Sequence, residues 1–172
     1  MISSLSEKFL REIAILDIPW VKKNQYDCEG AHLHWLPVAK LCDDRFLLGL
    51  TMAGFWARLT TSGVQELRNE KNCVVFLPMI EGSPKKVRQK IIEGLKNYGL
   101  SEEFIGSLPF EEIVMTGLES QSEYWCGLAL KWVLAIESSY VFKSVLEKIS
   151  EAGETQKIRH TARKILSQLG TP

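Results

Sequence analysis

Between Cys28 and Cys42 the chain gathers Cys28, Glu29, His32, His34 and Cys42, the side-chain types from which metal centres and nucleophilic sites are built. Structural zinc sites take their ligands in pairs with defined gaps, and this set has no second pair of that kind. His32 and His34 stand two apart, so an extended strand would place them on one side, whereas a helix would set them roughly 200° apart. Cys28 and His32 would share a helix face, but Gly30 and the polar residues around it interrupt a continuous helix. The expectation is one packed and one exposed histidine, with no metal or cofactor. A thiolate nucleophile needs a polar, polarising setting. Only Cys28 has one, with His32 or His34 as its base. Cys126 follows Trp125 in an apolar run and Cys73 precedes Val74-Val75-Phe76, so both read as inert buried thiols.

No GxSxG, HExxH, GxGxxG or Walker loop occurs. Gly82-Ser83-Pro84-Lys85-Lys86 lacks the glycine framework of a phosphate loop, and its proline removes a donor. With no catalytic motif, the reading leans away from an enzyme. A small metal-binding protein or enzyme working through the Cys28–His34 segment is the alternative.

The 172 residues carry 21 Lys+Arg against 21 Asp+Glu, so no global attraction to nucleic acid or anionic membrane is expected. An apolar share of 45% excludes a disordered chain, and four cysteines are too few for a disulfide scaffold. The neutral total hides a pattern. Residues 101–123 hold six acidic side chains and no Lys or Arg. Basic segments flank them, with Lys85, Lys86 and Arg88 before and Arg159, Arg163 and Lys164 after. Such runs serve as solvated faces and helix-dipole complements. They also form a dipolar surface that can orient a protein partner. Lys85, Lys86, Arg88, Glu111, Glu112, Arg159, Arg163 and Lys164 are therefore the candidate partner-binding residues. In a weaker version the basic helices contact nucleic-acid phosphates. The tryptophans Trp20, Trp35, Trp56, Trp125 and Trp132 read chiefly as packing residues.

Helices are the elements that the pattern assigns to these residues. Ser83-Pro84 is a helix start, Val87, Ile91, Ile92 and Leu95 follow at helical spacing, and Gly99 ends the run. Ser101–Leu108 forms two turns. Pro109 opens a helix through Leu118, and the Ser120–Glu123 capping box precedes another from Tyr124 to Ile136. Val141–Ile149 stops at Gly153, and a last helix runs from Thr155 to Leu169, with Gly170 and Pro172 beyond.

The first half is less regular. A Ser4–Glu7 capping box predicts a first helix up to Asp17, ended by Ile18-Pro19. Residues 20–30 read as a loop. Ala31–Leu41 and Arg45–Leu59 are apolar enough for buried helices or strands; length and the Met52-Phe55-Trp56-Leu59 spacing favour helices. Thr60–Gly63 is a turn cluster. Cys73–Leu77 is the best strand candidate, or else the start of a buried helix. Without an alternating hairpin pattern, no substantial sheet is expected.

Residues 109–169 thus contain two successive helix pairs, Pro109–Glu137 and Tyr140–Leu169. The segment Lys157–Leu166, with Arg159 after an apolar residue and Ala162 three positions on, resembles the inner helix of a HEAT or armadillo-type repeat. The resemblance implies stacked antiparallel helix pairs and a binding rather than catalytic role; the family's outer-helix proline and turn aspartate are missing.

The expected fold is all-α or nearly so, either α-solenoid-like or an irregular helical bundle. It forms a single domain over 1–172, with an N-terminal helical region (1–80) packed on a helix-pair array (83–170). The expected function is macromolecule binding, as a small protein–protein interaction, adaptor or inhibitor (immunity-like) protein. Glu7, Lys8, Arg11 and Glu12 interrupt the opening hydrophobics, so no secretory leader is expected. The longest uncharged apolar stretch, Phe46–Ala57, falls short of the about 20 residues of a membrane span. Cytoplasmic residence and no membrane partner are the resulting expectations.

Overall fold

Apolar residues crowd His32–Leu41 and Phe46–Thr51 without a strict period because these segments are strands with both faces covered. The computed structural model of the protein describes residues 7–169, apart from the side chains of Lys8 and Phe9. Five strands, β1 (Val21–Asn24), β2 (His32–Leu41), β3 (Phe46–Thr51), β4 (Trp56–Thr60) and β5 (Gly63–Glu66), form one antiparallel meander in chain order. The chain is therefore mixed α and β, and the expected all-α fold is wrong. Residues 45–59, expected as a helix, are instead a hairpin. Its connection is tied by Thr51 N–H donating to Phe55 O (2.8 Å) and Gly54 N–H to Thr51 O (2.9 Å). Residues 20–30, expected as a loop, contain β1.

The chain divides into two compact units: residues up to Asn72 with Lys85–Pro109, and Cys73–Pro84 with the residues from Phe110 onward. In the first, the register sorts side chains onto two faces. Trp35 pairs with Thr51, Gly49 with Ala57, Ala57 with Glu66 and Leu59 with Val64, so these residues share one face. Trp35, Ala57 and Val64 form a buried cluster there, flanked by Leu33, Leu47 and Leu59. Trp35 lies over Gly49, where a Cβ would meet the indole ring at 2.3 Å. The sheet curls until its ends meet. Gln25 bridges Val64, Tyr26 N–H donates to Val64 O (3.0 Å), and a Cβ on Gly63 (φ +136°) would lie 2.6 Å from Asn24 O.

On the other face Leu36, Leu48 and Leu50 are fully buried. The register of β2 shifts between Pro37 and Ala39, which leaves Val38 as an extra residue. Helix α2 (Pro84–Asn97) comes down on that irregularity through Gly94. Trp56, also on this face, donates its indole N–H to Ser107 Oγ (2.9 Å) in the 3₁₀ segment Glu102–Ser107. Helix α1 (Glu7–Ile15) begins within the expected capping box, whose Ser4 and Ser6 lie outside the described residues. Its Glu12 accepts from Ser101 N–H at 3.1 Å.

The second unit is helical: α3 (Phe110–Glu119), α4 (Glu123–Val133), α5 (Lys143–Ala152) and α6 (Gln156–Leu169). Cys73–Leu77, the expected strand, lies instead in a 3₁₀ segment, Glu70–Glu81, and Trp132 donates its indole N–H to Ile80 O (3.0 Å) and Gly82 O (3.1 Å) of that stretch. Gly117 lets α3 approach α4, since a Cβ there would sit 2.8 Å from that of Ala129. The cap of α4 is Ser122, which accepts from Trp125 N–H, and not Ser120, which donates to Gly117 O (2.7 Å). Both helix pairs exist, but the rest of the chain is a curled sheet with helices, so the HEAT or armadillo resemblance does not hold. Gly170 and Pro172 lie outside the described residues. Among the described residues no helix is long and apolar enough to cross a membrane.

A Cβ on Gly94 would stand 1.8 Å from Val38 O, a clash with backbone that no rotamer relieves. Gly94→Ala is expected to cost about 2–3 kcal/mol or more, read from urea unfolding. Gly106→Ala, where a Cβ meets nothing within 4 Å, serves as the control and stays within about 0.5 kcal/mol.

Candidate functional site

β5 alternates inward and outward residues, and after Val64 the next inward position holds a glutamate. Glu66 therefore places a carboxylate at one end of the apolar inner face, with its side chain only 5% exposed. A buried charge needs donors, and three converge. Thr51 Oγ1 donates to Oε1 at 2.7 Å. Arg68 reaches Oε2 with Nε (2.7 Å) and Nη2 (2.6 Å). Thr51 Oγ1 also accepts from Phe55 N–H at 3.3 Å. The guanidinium lies over the Phe55 ring, 4.7 Å from its centroid, so ion pair and ring together fix its plane.

This network borders a cleft of about 360 Å³ that Gln25, Leu33, His34, Met52 and Ala53 also line. Arg68 is the exposed member, its side chain 54% accessible. The arrangement pairs a fixed cation with an apolar wall, the usual composition of a recognition site. Nearby, the buried Trp35 Nε1 meets no hydrogen-bond acceptor among the described residues. Arg58, on the opposite face, lies over Phe46 at 4.8 Å; burial lowers its pKa, and Cys42 partly opposes that.

The Cys28–His34 segment becomes the β1–β2 hairpin. His32 and His34 do share a strand face, opposite Asn24 and Lys22, and both are exposed. Cys28 sits in the connection, where its N–H donates to Gln25 O (3.4 Å). Among the described residues no group of three or more His, Cys, Asp and Glu side chains is placed to hold a metal ion.

The candidate partner-binding residues fall on separate elements. Lys85, Lys86 and Arg88 lie on α2 in the first unit; the others are in the second. Arg159 donates to Gly153 O (2.6 Å) and Arg163 to Ser150 O (2.9 Å), so the structure brings these two together at the C-terminal end of α5. There they satisfy orphan carbonyls and oppose the helix dipole. Glu111 and Glu112 occupy the first turn of α3, and Glu111 accepts from the Ser138 hydroxyl. Lys164 is exposed on α6.

Cys126 borders a smaller cavity of about 180 Å³ in the second unit, with Ser120, Ser122, Glu123 and Glu154. Burial, and after it Glu154, push this thiol up, so it is protonated at neutral pH and a poor nucleophile. Iodoacetamide at neutral pH is expected to modify exposed Cys28 and to spare Cys126 until the protein is denatured, as read by peptide mass spectrometry. Because the folded pKa is raised, the unfolded chain loses this proton first. Stability is thus lost as pH climbs through and above the ordinary thiol range, and Cys126→Ala removes that part of the alkaline loss.

Glu66→Ala strands the Thr51 hydroxyl and one edge of Arg68, with an expected cost of about 1–3 kcal/mol in urea unfolding. Arg68 is half-exposed, which keeps the cost below that of a fully buried pair.

Sequence reasoning missed Thr51, Glu66 and Arg68. The available signal was Gly63-Val64-Gln65-Glu66, a short alternation whose apolar phase ends on a charge. No protein-family model, curated protein or solved structure matches this chain.

Proposed function

We propose that the protein is a binding module, a small interaction, adaptor or inhibitor protein of the cytoplasm, and that it docks a protein partner at the cleft beside Glu66. The observation that carries this reading is the mutual locking of Thr51, Glu66 and Arg68. Both carboxylate oxygens are engaged, so Glu66 acts as a strut for the guanidinium rather than as a proton-transfer group. Met52, 48% exposed, adds an adaptable apolar surface at the rim. Fixed charge beside exposed apolar area is the composition of an interface anchor. The charged residues of the helices contribute less to this reading, because Arg159, Arg163 and Glu111 already hold partners within the protein.

The test is photo-crosslinking in the native host from Met52→p-benzoylphenylalanine, with the same substitution at Lys164 as control. One protein adduct is expected from position 52, lost when Arg68→Ala is added. Equal adducts from both positions, an adduct destroyed by nuclease, or no Arg68-dependent adduct would overturn the proposal.

A further inference from the structure

Which donors Arg68 has left decides what the cleft can receive. A guanidinium carries five N–H bonds. Nε and Nη2 both point at Glu66 Oε2, so the side-on edge is occupied. The end-on edge, formed by Nη1 and the second hydrogen of Nη2, has no acceptor among the described residues. That edge matches a carboxylate in bidentate geometry. Its place over the Phe55 ring and its pairing with Glu66 restrain the side chain, so less ordering entropy is lost on binding.

Charge balance narrows the anion. One guanidinium, already paired with Glu66, suits a singly charged group. A phosphate dianion would bring a second negative charge close to the Glu66 carboxylate, and among the described residues that line the cleft no Lys or Arg besides Arg68 offsets it, His34 being the one other side chain there able to carry positive charge. The walls narrow it further. Leu33, Met52 and Ala53 line the same cleft, and Met52 is half-exposed, so an apolar group near the ligand's carboxylate would cover it. An Asp or Glu side chain within a peptide offers no such group on the same residue. A chain terminus ending in Leu, Val, Ile or Phe does.

We propose that the cleft captures the C-terminal carboxylate of a partner protein whose last residue is apolar, with Arg68 as the carboxylate receptor and Leu33 and Met52 as the seat of the last side chain. This rests on the docking reading above. Gln25, in the same cleft, offers an amide donor to the terminus or to the preceding peptide group.

The experiment uses the full-length protein and three sets of decapeptides by fluorescence anisotropy: free C-termini with the last four positions randomised, the same pool amidated, and amidated peptides with internal Asp or Glu. Binding of the free-acid pool, enriched for apolar last residues, is the expected result. Amidation should weaken the selected peptides about 10- to 100-fold, and so should Arg68→Lys, which keeps the charge and loses the fork. The amide comparison is made on the wild-type protein, so it stands even if the variant folds poorly. Equal binding of acid and amide, or preference for a polar last residue, overturns the proposal. Arg68-dependent binding of the internal acidic peptides overturns it while leaving the docking site intact. Binding of no pool, alongside a persistent Arg68-dependent crosslink, also sinks the C-terminal inference alone.

Discussion

The carboxylate of Glu66 sits where the inner face of the sheet would otherwise carry another apolar side chain. An ionised group there is tolerable only if both its oxygens are hydrogen-bonded, and three donors from two segments reach them. The position of Thr51 at the end of β3, the tight Thr51–Phe55 connection and the path of the chain after β5 all serve that one requirement. The orientation of Arg68 is a by-product. A long, flexible side chain becomes a rigid one because the buried acid and the Phe55 ring define its plane from two sides.

The sheet can host this arrangement because it is covered twice. Its inner face has a small apolar cluster around Trp35, which fits only because position 49 lacks a side chain. Its outer face is buried through Leu36, Leu48 and Leu50, and Gly94 of α2 reaches the Val38 carbonyl where the strand bulges. Each contact is a case of a missing Cβ permitting close approach, and each adds apolar burial worth roughly 25 cal/mol per Å². In the second unit the indole N–H of Trp132 donates to two carbonyls, so that unit buries its largest side chain without stranding a donor, unlike the Trp35 indole of the first.

The helices were legible in the sequence for a local reason. Ser83-Pro84 and Gly153 are punctuation whose meaning needs no tertiary context, and α2, α5 and α6 run where their periodicity places them. The strands were not legible. β3 has all residues but Leu47 buried, so the alternation that marks a half-exposed strand is absent. Residues 31–41 were long enough to favour a helix, and the bulge that accommodates Pro37 inside β2 is a property of the pairing rather than of the residue. Met52, Phe55, Trp56 and Leu59 imitated helical spacing although a turn at Gly54 separates Met52 from Phe55 and from β4. The candidate site was hidden by the same gap. Glu66 becomes an inward residue only once β5 has a register, and Thr51 and Arg68 meet it only through that register. The acidic and basic blocks were visible, yet several of their members turn out to cap helices and hold loops.

The meeting of the first and last strands has a kinetic side. The hairpins β2–β3, β3–β4 and β4–β5 join neighbours a few residues apart, whereas Gln25 and Val64 must find each other across the whole meander. Loop-closure entropy makes that seam the last contact of the sheet to form and, by microscopic reversibility, the first to come apart. Gln25 belongs both to the seam and to the cleft wall. Amide exchange at Tyr26, whose N–H spans the seam, therefore reports how often the sheet parts along it, beside the cleft that Gln25 also lines.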